Sequence, residues 1–304
     1  MAMSDHKIFD TVKSYNDFND HPTLHPLVSV LDFSKAKPRT GHRMMFGLYT
    51  IILKEVDCGN LIYGKQNYDY QEGTLVFLGP GQEVDVTNKS TKYQPMGRGL
   101  VFHPDLITGT SLAGQIEGYG FFSYNLNEAL HLSEQEQHTI LDCLEKIEQE
   151  LQRPVDKHSK RLITSNINLF LDYCQRFYDR QFITREHVNK SVIRVFEKLL
   201  NNYFHSEKPY SVGLPSVGYF ADELHLSANY FGDLVKKETG QSAQEYIQTK
   251  LIEIAKTKIF GTEKSVKEIA FELGFRYPQH FSRLFKQKVG ISPNEFRNSG
   301  KEGY

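Results

Sequence analysis

Between Gly274 and Gly290 the chain carries Arg276, Gln279, His280, Arg283 and Lys286 on a stretch that contains no acidic residue. These side chains alternate with Phe281, Leu284, Phe285 and Val289, which recur at helical spacing. The spacing predicts an amphipathic helix with one apolar stripe and one basic, amide-bearing face. Arginine can meet guanine O6 and N7 with two hydrogen bonds, and glutamine can meet adenine N6 and N7 in the same way. Gln279 and Arg283 lie four residues apart, so both reach one groove. The chemistry implied is recognition of a duplex rather than catalysis. A solvated basic face is the plainer reading of the same residues.

The preceding residues supply the brace such a helix needs. Val266, Ile269, Ala270 and Leu273 repeat at helical spacing, Gly274 breaks the pattern, and Pro278 suits a first helical turn. The whole is a helix-turn-helix unit over residues 265–290. A second copy lies upstream over residues 216–240. Ser216, Val217, Ala221, Glu223 and Leu224 match Ser265, Val266, Ala270, Glu272 and Leu273 at an offset of 49. Phe231, Leu234, Lys236, Gly240, Ser242 and Glu245 match Phe281, Leu284, Lys286, Gly290, Ser292 and Glu295 at an offset of 50, so the second turn is one residue longer. Between the copies, Ala243 to Phe260 keeps Tyr246, Ile247, Leu251, Ile254, Ala255 and Ile259 in helical register. A straight helix there spans about 27 Å, near the ~34 Å between successive major grooves on one duplex face.

The paired units, the long connector and the closing FSRLFKQKVGISPNEFR resemble the DNA-binding domain of AraC-type (AraC/XylS) transcription regulators, over roughly residues 190–300. The sequence departs from that family at Lys250, where an arginine is usual, and at Gly232 and Asp233 in the first unit. In the first unit Ser227, Asn229, Lys236 and Lys237 are the candidate contacts to the DNA backbone. Arg276, Gln279, His280, Arg283 and Lys286 of the second unit are the candidate readers. The resemblance implies double-stranded DNA as partner, RNA polymerase as a second one, a small-molecule effector, a homodimer and a cytoplasmic location.

The 304 residues leave room for more than one domain. Net charge is −1, but it is unevenly spread. From residue 191 onward there are 16 Lys and Arg against 13 Asp and Glu, a net of +3, which leaves −4 for the rest. No apolar run reaches the length of a membrane helix, and MAMSDHKIFD has no apolar core of a secretory signal. Cys58, Cys143 and Cys174 are far apart, as expected of reduced thiols.

Residues 1–35 read as an irregular arm, with His21 and His25 in a surface loop. From Met44 to about Val86, short β-branched and aromatic runs alternate with glycine turns, and Gly99–His103 adds another strand. Such texture suits a small barrel or jelly roll. The resemblance implies a cupin-like sensor domain, with Gly73–Gln82 as its central hairpin. A catalytic cupin needs a close histidine pair and a carboxylate. This stretch holds only His42 and His103, and GxSxG, P-loop and GxGxxG motifs are absent. No catalytic residue, metal or cofactor is therefore assigned. Effector-binding residues are not identifiable, with Tyr49, Tyr63, Tyr68 and Phe77 as weak candidates.

Ser133 with Glu136 reads as a capping box opening a helix with Ile140, Cys143, Leu144, Ile147 and Leu151 on one stripe. A second helix, from about Lys157 to Tyr178, carries Ile163, Ile167, Phe170, Leu171, Cys174 and Phe177. Core and dimer seam are equally good readings of these stripes. The polar segment Asp179–Asn189 serves as the boundary, a helix follows over Ser191–Phe204, and HSEKPYSVGLP reads as a loop.

The expected fold is thus α+β and multidomain. An arm and cupin-like sensor domain occupies 1–130, a helical hairpin whose stripes read equally as core or as dimer seam 131–186, and an all-α domain with two helix-turn-helix units 187–304. The function expected is effector-controlled transcription regulation. The alternatives are a cupin-type enzyme with an accessory helical domain, or a regulator whose N-terminal domain only dimerises.

Overall fold

The structure is a computed structural model, and it describes residues 6–54, 61–63, 66–68, 73–85, 92–125, 128–184 and 186–299. The chain divides into two compact units, Met1–Thr184 and Arg185–Tyr304.

The first unit begins with β1 (His6–Phe9), α1 (Val12–Phe18) and β2 (Val28–Asp32). From His6 onward the expected irregular arm is therefore ordered structure. Thr11 and Ser14 form a capping box at the start of α1, and Val12 and Tyr15 are buried. Strands β3 (Arg43–Phe46), β4 (Tyr49–Lys54), β5 (Leu61–Tyr63), β6 (Gln66–Tyr68), β7 (Thr74–Leu78), β8 (Gln82–Asp85) and β9 (Arg98–Phe102) follow. After α2 (Pro104–Ile107) and α3 (Ser111–Gln115) come the short β10 (Leu130–His131) and two long helices, α4 (Glu134–Leu151) and α5 (Ser159–Thr184).

Among the described residues these strands form open sheets, not the closed barrel expected from the sequence. One sheet has the order β1-β3-β8, another β10-β7-β4-β9-β2, and β5 pairs with β6 alone. The five-stranded sheet is covered on both faces. Leu31, Val76, Leu78 and Val101 pack with Phe9, Phe46 and Val84 of the three-stranded sheet. On the opposite face Phe77 meets Phe121, Phe122 and Tyr178 at centroid distances of 4.4, 5.7 and 6.0 Å. Double coverage explains why β7 reads TLVFL with no polar alternation.

The expected hairpin at Gly73–Gln82 is a corner between the sheets. β7 pairs with β4, whereas β8 pairs with β3. Gly81 adopts φ +87°, and its N–H donates to Phe46 O at 2.7 Å, turning the chain into the other layer. His103 sits at the end of β9 as expected, and its Nδ1 accepts from Asp105 N at 3.1 Å to cap α2.

Ser133 and Glu136 form the capping box on α4. Ile140, Cys143, Leu144 and Ile147 of α4, and Ile163, Ile167, Phe170, Leu171, Cys174 and Phe177 of α5, are all buried within this unit. The stripes are its own core. α5 continues past Tyr178 because its polar residues have partners: the Gln181 side chain accepts from His131 N at 2.8 Å and donates to Ala129 O at 3.2 Å. The polar stretch expected as the boundary, Asp179–Asn189, contains the division between the two units, and its first residues are a helix end that hydrogen-bonds the backbone of Ala129 and His131. Cys58 lies outside the described residues.

The second unit is all helix: α6 (Glu186–Phe204), α7 (Lys208–Val212), α8 (Val217–Glu223), α9 (Ala228–Thr239), α10 (Ala243–Gly261), α11 (Val266–Glu272), α12 (Pro278–Val289) and α13 (Pro293–Ser299). The segment expected as a loop before α8 contains α7, with Pro209 in its first turn and buried. A single core joins Phe196 and Leu200 of α6, Phe220, Phe231 and Val235 of the first helix pair, Ile247, Leu251 and Ala255 of α10, and Ile269, Phe281 and Phe285 of the second pair.

Candidate nucleic-acid interface

The sequence repeat is also a repeat of backbone devices. Ser216 caps α8 and Ser265 caps α11, each accepting from the backbone N–H three residues on. Both first helices end in the same closure, with Leu226 N donating to Ala221 O at 2.9 Å and Phe275 N to Ala270 O at 3.0 Å. The left-handed residue is His225 (φ +58°) in the first unit and Gly274 (φ +93°) in the second. Helices α9 and α12 both end on a left-handed glycine, Gly240 and Gly290. Ser242–Glu245 and Ser292–Glu295 then open α10 and α13 with the same reciprocal hydrogen bonds.

Helix α12 presents the face expected of it. Phe281 and Phe285 are fully buried, while Arg276, Gln279, His280, Arg283 and Lys286 are all exposed. Lys286 and Lys288 occupy its last turn, where the helix dipole favours cations. In the first unit Asn229, Lys236 and Lys237 are exposed along α9. Ser227 is its N-cap, accepting from Tyr230 N at 3.1 Å. Gly232 has open space where a Cβ would stand, and Asp233 is exposed.

The sequence reading missed Tyr277. The one-residue insertion in the second turn places it at the start of α12, 52% exposed, with its ring 5.5 Å from that of His280. The offset change from 49 to 50 was the available sign of it.

Helix α10 lies between the two helix pairs and packs against α6, α9, α11, α12 and α13. Its 19 residues span about 28 Å. Tyr246 on its outer turn donates to Glu197 of α6 at 2.5 Å, and burial together with that carboxylate pushes the phenol up to about 12. At the other end, Glu272 of α11 takes Lys258 of α10 at 2.9 Å and is bridged by Lys264 as well. Hydrogen bonding from Lys264 leads the causes that hold the Glu272 carboxyl below its ordinary value. Glu245, at the start of α10, lies in the field of Lys288 from the second unit and Lys236 from the first.

A family model described as a helix-turn-helix domain matches residues 220–299, which takes in α9 to α13 and most of α8. That match spans both units and the spacer, and the relatives found with it are regulators of the same type. The C-terminal unit carries a helix-turn-helix domain of the AraC type. It is 33% identical over 144 residues to the uncharacterized HTH-type transcriptional regulator YfiF of Bacillus subtilis, an alignment covering 47% of this chain and 42% of that one. It is 22% identical over 259 residues to the HTH-type transcriptional activator RhaS of Escherichia coli, covering 80% and 90%. Among solved structures it is similar to the C-terminal domain of the two-component response regulator yesN from Fusobacterium nucleatum, with 30% identity, TM-score 0.29 and coverage of 33% and 96%. The chain thus spans less than half the length of YfiF.

No helix among the described residues is long and apolar enough to cross a membrane. Of the weak pocket candidates, Tyr49 stacks on Phe102 at 4.9 Å and Phe77 belongs to the aromatic core. The side chains of Tyr63 and Tyr68 lie outside the described ones.

Proposed function

We propose that the protein is a sequence-specific, DNA-binding transcription regulator in which the second helix-turn-helix unit does most of the reading. The observation that carries this is the exposed, wholly basic and amide-bearing face of α12 above a fully buried aromatic stripe. Gln279 and Arg283 are the base readers. Arg276, His280 and Lys286 flank them, with phosphates as the partners of the two cations. Ser227, Asn229, Lys236 and Lys237 position the first unit on the backbone, since Gly232 and Asp233 leave the middle of α9 without a basic reader. RNA polymerase, a homodimeric state and a cytoplasmic location belong to the same reading by family resemblance.

The N-terminal unit is the regulatory part in this reading, a cupin-like domain that responds to a small-molecule effector. Support for it comes from the separation of a sheet-containing unit from the all-helical one. The chain has no catalytic role in this proposal.

Equilibrium binding of the full chain to duplex DNA at several salt concentrations tests the reading. If roughly six phosphates are neutralised, log affinity falls with log salt at a slope near −5. Residues 187–304 alone retain most of that slope. Affinity independent of salt would refute the proposal.

A further inference from the structure

Unit 185–304 holds its two helix-turn-helix pairs together at a second place besides α10. The chain leaving α7 passes Gly213 (φ +105°) and Leu214 and lies against the turn of the second pair. A Cβ placed on Gly274 would stand 2.7 Å from both the carbonyl carbon and the carbonyl oxygen of Gly213, and 3.0 Å from Leu214 N. Two backbones meet there, and neither can give way as a flexible side chain would. Tyr203 of α6 secures the other side by donating to Gly213 O at 3.0 Å, and α7 itself packs on both α6 and α11. A segment that precedes the first pair in sequence therefore braces the second pair at the turn that aims α12.

We infer that this Tyr203–Gly213–Gly274 clasp fixes the angle between the two recognition helices, and so selects the spacing of the two half-sites on DNA. The inference rests on the DNA-binding reading given above. Spacer helix α10 sets the distance between the pairs, but a single helix leaves rotation about its axis to whatever else packs on it. The clasp is a contact off that axis, which is what rotational phase requires. The three are positioning residues, and they need not touch DNA. One inserted base pair turns one half-site by about 35° relative to the other, so a rigid protein must pay for it in strain or in lost contacts.

The test uses duplexes that the full-length wild-type chain selects from a random pool, with one base pair then inserted or removed between the two protected segments. Wild type is expected to bind the altered duplexes at least about tenfold more weakly, equivalent to ~1.4 kcal/mol. Gly274→Ala and Tyr203→Phe are expected to cut that penalty to about threefold or less. Gly290→Ala is the matched control: its φ is +94°, yet nothing lies within 4 Å of the added Cβ, so it carries the same backbone strain without the clash and keeps the wild-type penalty. Should Gly274→Ala fail to fold, Tyr203→Phe, which removes one hydroxyl, decides alone. A wild-type penalty retained in the folded clasp variants overturns the inference while leaving DNA binding intact. A wild-type chain that selects no duplex removes the DNA-binding reading itself, and the clasp's role with it.

Discussion

His225 stands in the first helix-turn-helix unit where Gly274 stands in the second, both in the left-handed region, at φ +58° and φ +93°. A residue with a Cβ costs roughly 1–2 kcal/mol in that region, so the two turns are not equally relaxed. At His225 the side chain is exposed, and the strain is borne by one residue. At Gly274 a Cβ would also meet the Gly213 backbone. We therefore expect His225→Gly to change stability by less than about 1 kcal/mol in the favourable direction, because relief of strain is partly offset by the freedom glycine adds to the unfolded chain. Gly274→Ala is expected to cost about 2 kcal/mol or more. Urea denaturation of both variants checks the asymmetry.

Arg283→Ala should weaken specific DNA binding by ~1–3 kcal/mol and relax preference at one or two base pairs. Asp233→Ala should leave affinity unchanged or raise it, since a carboxylate at that exposed site repels phosphate. Selection from random DNA with both variants measures this. Lost sequence preference in Asp233→Ala, with only a uniform loss in Arg283→Ala, would reverse the roles given to the two units.

Replacing Ile254 and Ala255 of α10 by Gly-Gly costs roughly 1–2 kcal/mol in helix propensity. Ala255 is fully buried in the shared core, so lost packing adds to that. Specific binding should disappear while weak, salt-sensitive binding remains. A nuclease footprint unchanged from wild type would mean that the two units act independently.

Acid should destabilise the second unit through Glu272. Its carboxyl is held below the ordinary value chiefly by Lys264, with Lys258 adding to it. A depressed folded value means the unfolded chain binds the proton more readily. The contribution of Glu272 is thus complete above the unfolded value, about 4.3, and is lost as pH falls through the folded one. Urea melts at pH 7 and pH 3.5 should show a smaller drop for Glu272→Gln than for wild type.

Phe77→Ala should cost the first unit about 3–5 kcal/mol. Its ring is buried against Phe121, Phe122 and Tyr178. Loss of that unit's cooperative thermal transition, with residues 187–304 still melting as in wild type, is the expected result.

The sequence by itself determined the C-terminal half closely. Helical spacing of Val266, Ile269, Ala270 and Leu273, and of Phe281, Leu284 and Phe285, placed both elements of the second unit, and the offset repeat placed the first. The connector expected over Ala243–Phe260 is α10, one residue longer. Such elements are legible because their determinants are local: a serine cap, an apolar stripe and a left-handed glycine all lie within one or two helical turns. The exposed face of α12 was legible for the same reason, since a stripe that must be buried names its opposite.

Only the tertiary structure decided the rest. Residues of β7 and β8 are adjacent in sequence and separated by a glycine turn, yet they pair with different strands, because the partner of a strand is chosen by contacts distant along the chain. Gln181 falls in the stretch expected as a boundary, and its role in the first unit is not visible there because its buried partners, Ala129 and His131, lie 50 or so residues away. Gly274 reads as a turn glycine, while the backbone that a Cβ there would strike belongs to Gly213, a position before both α9 and α10. Local periodicity fixes which face of an element is buried; what that face is buried against depends on long-range packing, which a single sequence does not spell out.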